Sequence, residues 1–210
     1  MEWRVQLLIP NSVAQRLAKI LRSRGLTETG GMLMGEHVSS NEFRIVDFTT
    51  QNRGGTIFSF LRLPRFHVQS LARFFRSTSE NYQKFNYLGE WHSHPNFSTQ
   101  PSTADLVAMR ALVNDVTTGA QFAVLMIVRL DNDKVLQVGT YLFIPGDPTV
   151  YVIPLTLESD DEFAVGFEGL DDKTSLHRFS SKYVMQIVPG AMSDSIDRTD
   201  EVDQSKDGDR

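Results

Sequence analysis

Apolar positions change their period along the chain, and each change predicts an element. Trp3-Arg4-Val5-Gln6-Leu7-Leu8-Ile9 reads as a first strand. Pro10 and Asn11 then open a helix in which Val13, Leu17, Ile20 and Leu21 recur at helical spacing. Gly25 closes it after a basic last turn of Lys19, Arg22 and Arg24, which suits the negative end of the helix dipole. Glu28 to His37 predicts a second strand. Gly30 and Gly31 weaken it, and glycines inside a strand mark a bulge or a close backbone approach. Glu42 to Phe48 alternates cleanly as a third strand. Beyond a Gly-rich loop at 51–55, Thr56 to Phe60 predicts another. Leu63 to about Gln83 reads as a long helix with Phe66, Leu71, Phe74 and Phe75 on its apolar face.

Tyr87 to His92 returns to strand spacing, and Ser102 to Val113 is a helix. Phe122 to Val128 is almost continuously apolar, as expected of a strand buried on both faces. Asp131-Asn132-Asp133 is a turn signal, so Val135 to Phe143 pairs back as a hairpin. Pro145-Gly146-Asp147-Pro148 breaks the pattern, and Tyr151-Val152-Ile153 is expected to add an edge strand. From Leu157 the periodicity is lost, and an acidic cluster follows (Glu158, Asp160, Asp161, Glu162). Residues 179–188 suit a short strand or helix, and 193–210 are polar and mostly acidic. These patterns divide the chain into one domain over 1–155 and a flexible acidic C-terminal extension over 156–210.

Composition narrows the class. The 210 residues carry no cysteine, which excludes a disulfide framework, a thiolate metal site and a cysteine nucleophile. That is compatible with a reducing compartment, and the expected location is cytoplasmic. The first residues lack the charged and apolar regions of a signal peptide. No apolar run approaches bilayer-spanning length, so no membrane association is expected. The formal charge of -5 argues against nucleic-acid binding, which usually needs a basic face.

The chemistry concentrates in Gly89-Glu90-Trp91-His92-Ser93-His94-Pro95 and Pro101-Ser102-Thr103-Ala104-Asp105. Alternation along a strand end points His92 and His94 the same way, with Trp91 and Ser93 opposite, Trp91 expected to pack in the core and Ser93 to pack or bond to backbone. Asp105 falls in the first turn of the following helix. Ser102 with an acid three residues on is close to a capping box, which would fix the helix that carries Asp105. Two imidazoles and one carboxylate meet the needs of a catalytic zinc site, one position being left to water. Geometry leaves the general base open. Glu90 shares the parity of the histidines, and Glu28 and Glu36 are its rivals.

His92-Ser93-His94-Pro95 followed by Ser102 and Asp105, with Glu28 trailed by Gly31 and Gly35 upstream, resembles the JAB/MPN (JAMM) metalloproteases, in their compact bacterial form. The resemblance spans roughly residues 5 to 145. It implies an α/β (α+β) fold with a curved mixed sheet flanked by helices. It implies one Zn²⁺ per chain on His92, His94 and Asp105, with Glu28 as general base and Ser102 as donor to the oxyanion. Glu90 then becomes a neighbour of the site, and Glu36 a surface residue. The implied activity is hydrolysis of the amide bond after the C-terminal glycine of a ubiquitin-like protein, in deconjugation or precursor processing. Implied partners are that protein or its conjugate and conjugation proteins of the ubiquitin-activating and ubiquitin-conjugating kind, antiphage systems included. Family members carry a substrate-contacting insertion near 51–60, where Phe58 and Phe60 are candidate contacts here unless they pack in the core. The family gives no role to His67, and His37, just past the second strand, is not expected to have one. The alternatives are a non-catalytic MPN scaffold and a zinc amidohydrolase acting on a small substrate.

Overall fold

The structure, a computed structural model, describes residues 5–51, 64–132, 135–159 and 184–187. The elements in chain order are β1 (Gln6–Pro10), α1 (Asn11–Arg24), β2 (Gly30–Ser39), β3 (Glu42–Phe48), α2 (Pro64–Ser77), β4 (Phe85–Ser93), α3 (Thr103–Asn114), β5 (Ala123–Asp131), β6 (Val135–Phe143), β7 (Tyr151–Val152), β8 (Leu155–Glu158) and β9 (Val184–Ile187). The strands form one curled mixed sheet in the order β7-β6-β5-β4-β2-β3-β1-β8, with β9 beside β6. The α+β class read from the sequence is the class observed. The expected strand at 56–60 with Phe58 and Phe60, Trp3 and Arg4, Asp133, the side chains of Phe66 and His67, and most of the acidic extension lie outside the described residues.

β5 shows why its sequence is almost wholly apolar. Val124, Met126 and Val128 join a core with Val13, Leu17 and Leu21 of α1 on one face of the sheet. Ala123, Leu125 and Ile127 join Met109 and Val113 of α3 on the other. Alternate residues of one strand thus serve two cores, and neither face tolerates a polar residue. Next along that second face, Met34, Val46, Phe74 and Phe85 pack with Leu71 and Phe75 of α2.

α2 is shorter than its apolar pattern predicts and ends at Ser77 rather than near Gln83. The Ser77 and Thr78 hydroxyls both donate to the Phe74 carbonyl, at 2.8 and 3.0 Å, and compete with the next helical turn. Ser79 and Glu80 then turn left-handed, with φ of 54° and 55°.

β8 runs to Glu158, and β9, inside the 179–188 stretch expected to form a short strand or helix, pairs in parallel with Val135–Val138 of β6. β8 is four residues long, too short to register as an alternating run. Glu36 is not a surface residue. It is buried against the Arg44 guanidinium, which also holds both oxygens of Glu158, at 2.6 and 3.0 Å, and Lys84 approaches Glu36 at 3.1 Å. A buried carboxylate is tolerated because these cations compensate it.

Candidate metal centre

The site begins with an irregularity in β4. Leu33 pairs with Gly89 and Met34 with Tyr87, so Leu88 is an extra residue in the ladder with β2. Gly89 has φ of 149°, and a Cβ there would lie 1.9 Å from the Val124 carbonyl oxygen, so only glycine fits. Beyond the bulge, Glu90 pairs with Leu125 and His92 with Ile127, which places both on the α3 face. Trp91 packs on the α1 face and donates its indole N–H to the Thr49 carbonyl at 2.8 Å. The expected core role of Trp91 is therefore observed.

β2 lies tight against this strand. A Cβ on Gly30 would meet the Trp91 carbonyl oxygen at 2.4 Å, and one on Gly31 the Thr49 carbonyl oxygen at 1.9 Å. The Ser93 hydroxyl accepts from Thr29 N–H at 3.0 Å, and Ser93 N–H donates to Thr29 O at 2.8 Å. Ser93 thus has the backbone-bonding role its parity implied. Gly30 pairs with His92. Glu28 is exposed and lies two residues ahead of β2.

His94 stays tied to the sheet, its N–H donating to Val128 O at 2.9 Å. Its Nδ1 lies 2.8 Å from the Ser98 carbonyl. A carbonyl only accepts, so Nδ1 carries the hydrogen and Nε2 keeps its lone pair. Nε2 of His92 lies 2.9 Å from Nε2 of His94. Oδ2 of Asp105 is 3.5 Å from the first and 3.7 Å from the second. All three residues are buried.

Asp105 is delivered by the helix start. Ser102 caps α3, accepting from Asp105 N–H at 3.2 Å, while Ser102 N–H donates to Asp105 Oδ2 at 2.8 Å. The capping box is therefore real and points the carboxylate at the imidazoles. Burial works to raise the Asp105 pKa, but bonding and charge from His92, with both Ser102 bonds, outweigh it and hold the carboxyl below its ordinary value. Ser102 itself is exposed, and its oxygen accepts the cap bond, leaving its hydroxyl hydrogen free to donate outward.

The donors fit a small divalent cation. His92, His94 and Asp105 each offer one atom, all within 4.8 Å of one another. A tetrahedral ion with bonds of about 2.0–2.2 Å separates its ligand atoms by about 3.4 Å, close to the separations here. A neutral nitrogen pair with a carboxylate oxygen is also the donor chemistry zinc accepts. Nδ1 of His92 is buried without a hydrogen-bond partner, and it is the one weak point of the support.

Glu90 shares the metal face and is buried, and burial pushes its carboxyl pKa up to about 7. The buried Tyr87 hydroxyl, also without a hydrogen-bond partner, is held well above its ordinary pKa by burial and then by the Glu90 charge. His37 is exposed and stacks on Phe43 with ring centroids 5.0 Å apart, away from the site. Sequence reasoning passed over Phe97. It is 65% exposed, its ring edge-on to His94 with centroids 6.5 Å apart. A lone aromatic in a polar loop gave no periodic signal.

A curled mixed sheet bearing a buried His-His-Asp cluster at one strand end and the next helix start defines an α+β domain with a potential metal site. A family model described as prokaryotic homologs of the JAB domain matches residues 10–139. The chain belongs to that family. Among solved structures it is similar to the solution structure of protein DSY2949 from Desulfitobacterium hafniense, at 16% identity and a TM-score of 0.53. That match covers 73% of this chain and 93% of the other, and shows the shared fold. No curated protein matches. Among the described residues, no helix is long and apolar enough to cross a membrane.

Proposed function

We propose that this chain is a zinc-dependent peptidase that cuts the amide bond after the C-terminal glycine of a ubiquitin-like protein, from a conjugate or a precursor. The observation that carries the reading is the convergence of His92, His94 and Asp105 in a chain of the prokaryotic JAB family. Zinc held by these residues supplies a Lewis acid and lowers the pKa of water to about 7. Glu28, which is exposed, takes the proton of the attacking water and returns it to the leaving amine. The free hydroxyl hydrogen of Ser102 donates to the oxyanion as the carbonyl becomes tetrahedral. His94, held by Ser98, and Asp105, held by its cap, keep their donor atoms aimed without reorganisation. The reading places the protein in the cytoplasm, with conjugation proteins of the ubiquitin-activating and ubiquitin-conjugating kind as its neighbours.

The test pairs metal content with turnover of an isopeptide probe, a Gly-Gly carboxyl terminus joined to a lysine side chain on a ubiquitin-like body. Glu28→Gln is expected to keep its zinc and lose cleavage by about 10²–10⁴-fold, the usual worth of a positioned general base. Full activity in Glu28→Gln would remove Glu28 from the role. Bound zinc with no turnover by the wild type would argue for a binding module.

A further inference from the structure

Charge is divided unevenly along the chain. Residues 1–155 hold 15 Lys and Arg against 12 Asp and Glu, whereas residues 156–210 hold 6 against 14. The basic excess has a definite location on α1, which contains no acidic residue. Arg16 is spent on Asp47 and on the face of Phe48. Lys19 and Arg22, one turn apart, are exposed and form no ion pair with a described residue. Just past them Leu26 is 75% exposed. It borders a pocket of about 130 Å³ lined by Leu21, Leu26, Ser93, Pro95, Arg129 and Leu130. A small hollow of mixed lining, with three leucines, beside two unpaired cations thus lies at the C-terminal end of α1, behind the loop that carries His94.

The two ends of segment 160–183 bracket this surface. β8 pairs with β1 so that Glu158 lies beside Pro10, the residue that caps α1. The segment therefore departs from the start of α1. It ends at Val184, which pairs with Val135, itself paired with Asp131. Two strand spacings, about 10 Å, separate Val184 from the end of β5 that supplies Arg129 and Leu130. α1 is about 21 Å long, and 24 residues can reach far beyond the sum of these distances. The first thirteen, 160–172, contain six acidic residues and no Lys or Arg, with Phe163, Val165, Phe167 and Leu170 interspersed.

We propose that residues 160–172 dock along the outer face of α1, with acidic side chains against Lys19 and Arg22 and an aromatic or aliphatic side chain in the Leu21–Leu26–Leu130 pocket. Tethering at both ends gives the segment an effective concentration in the millimolar range at that surface, so a weak contact is occupied. The charge complement fixes which part of the segment docks, and the pocket takes an apolar residue between acids. The proposal holds whether or not the metal site is catalytic.

The absence of native cysteine makes the test clean. In the full chain, Leu26→Cys is combined in turn with Phe163→Cys, Val165→Cys, Phe167→Cys and Leu170→Cys. Disulfide formation within the monomer is followed under mild oxidation. Val116→Cys replaces Leu26→Cys as the control, since Val116 is 92% exposed and follows α3 on the opposite face. At least one Leu26 pair is expected to close tenfold or more faster than its Val116 counterpart. Lys19→Glu with Arg22→Glu, or high salt, is expected to erase the difference. Equal rates at both sites for all four partners would overturn the proposal. So would an advantage insensitive to charge reversal, or disulfides forming between chains, which would make a second copy the occupant.

Discussion

Glu90 is the residue whose environment and surroundings most disagree. It is a carboxyl on a buried strand, two positions from one histidine of the metal cluster, with burial raising its pKa from 4.5 to about 7. In the metal-free protein the neutral form is the one the fold prefers. Below pH 4.5 both folded and unfolded chains are protonated there. Between 4.5 and 7 the unfolded chain ionises first, so stability falls with rising pH and levels off above 7. The ceiling is about 3 kcal/mol. Urea unfolding in chelator is expected to lose stability from pH 5 to 7, and Glu90→Gln is expected to flatten that slope. An unchanged slope in the variant would show that Glu90 is not the group responsible. The residues of the cluster were legible because their signals are local. Parity aligns His92 with His94, and the Ser102 cap brings in Asp105. Parity also nominated Glu90 as base, and it does face the metal side. Glu28 could not be reached that way: it came from the resemblance alone, and the strand that follows it pairs with β4 in a long-range register that no local period encodes.

Among elements, β8 is the one held least by its own sequence. Four residues pair with β1, and the clasp that secures them is Arg44, bound to Glu158 on one side and to buried Glu36 on the other. Removing the guanidinium strands Glu36 among apolar neighbours with only the half-exposed Lys84. Arg44→Met is expected to cost about 3–5 kcal/mol in chemical denaturation, while Glu158→Gln, which leaves Glu36 paired, costs much less. Equal costs would mean that the strand clasp, and not the buried carboxylate, dominates. The same elements show what patterning can carry. β5 and α1 were readable because a two-faced strand and an amphipathic helix repeat their signal over many residues. The end of α2 was not, since the hydroxyls that stop it act through the backbone. Glu36 looked like a surface charge because its partner, Arg44, is supplied by the neighbouring strand.

For the molecule as a whole, the metal cluster joins the strand end of one sheet to the start of α3. Ion binding is therefore expected to stabilise the fold globally. Zinc at about a hundred times its dissociation constant adds about 2.7 kcal/mol, which for a chain of this size raises Tm by about 5–10 °C. His94→Ala is expected to abolish the shift, and a shift that survived would locate the ion elsewhere. The bulge at Leu88 carries a consequence for how this chain tolerates change. Ahead of it, odd-numbered residues face α2 and α3; after it, even-numbered residues do. A one-residue deletion between Leu88 and Trp91 is therefore no local lesion. It would carry every later side chain of the strand through the sheet, burying both histidines against α1 and turning Trp91 out into the place meant for the ion.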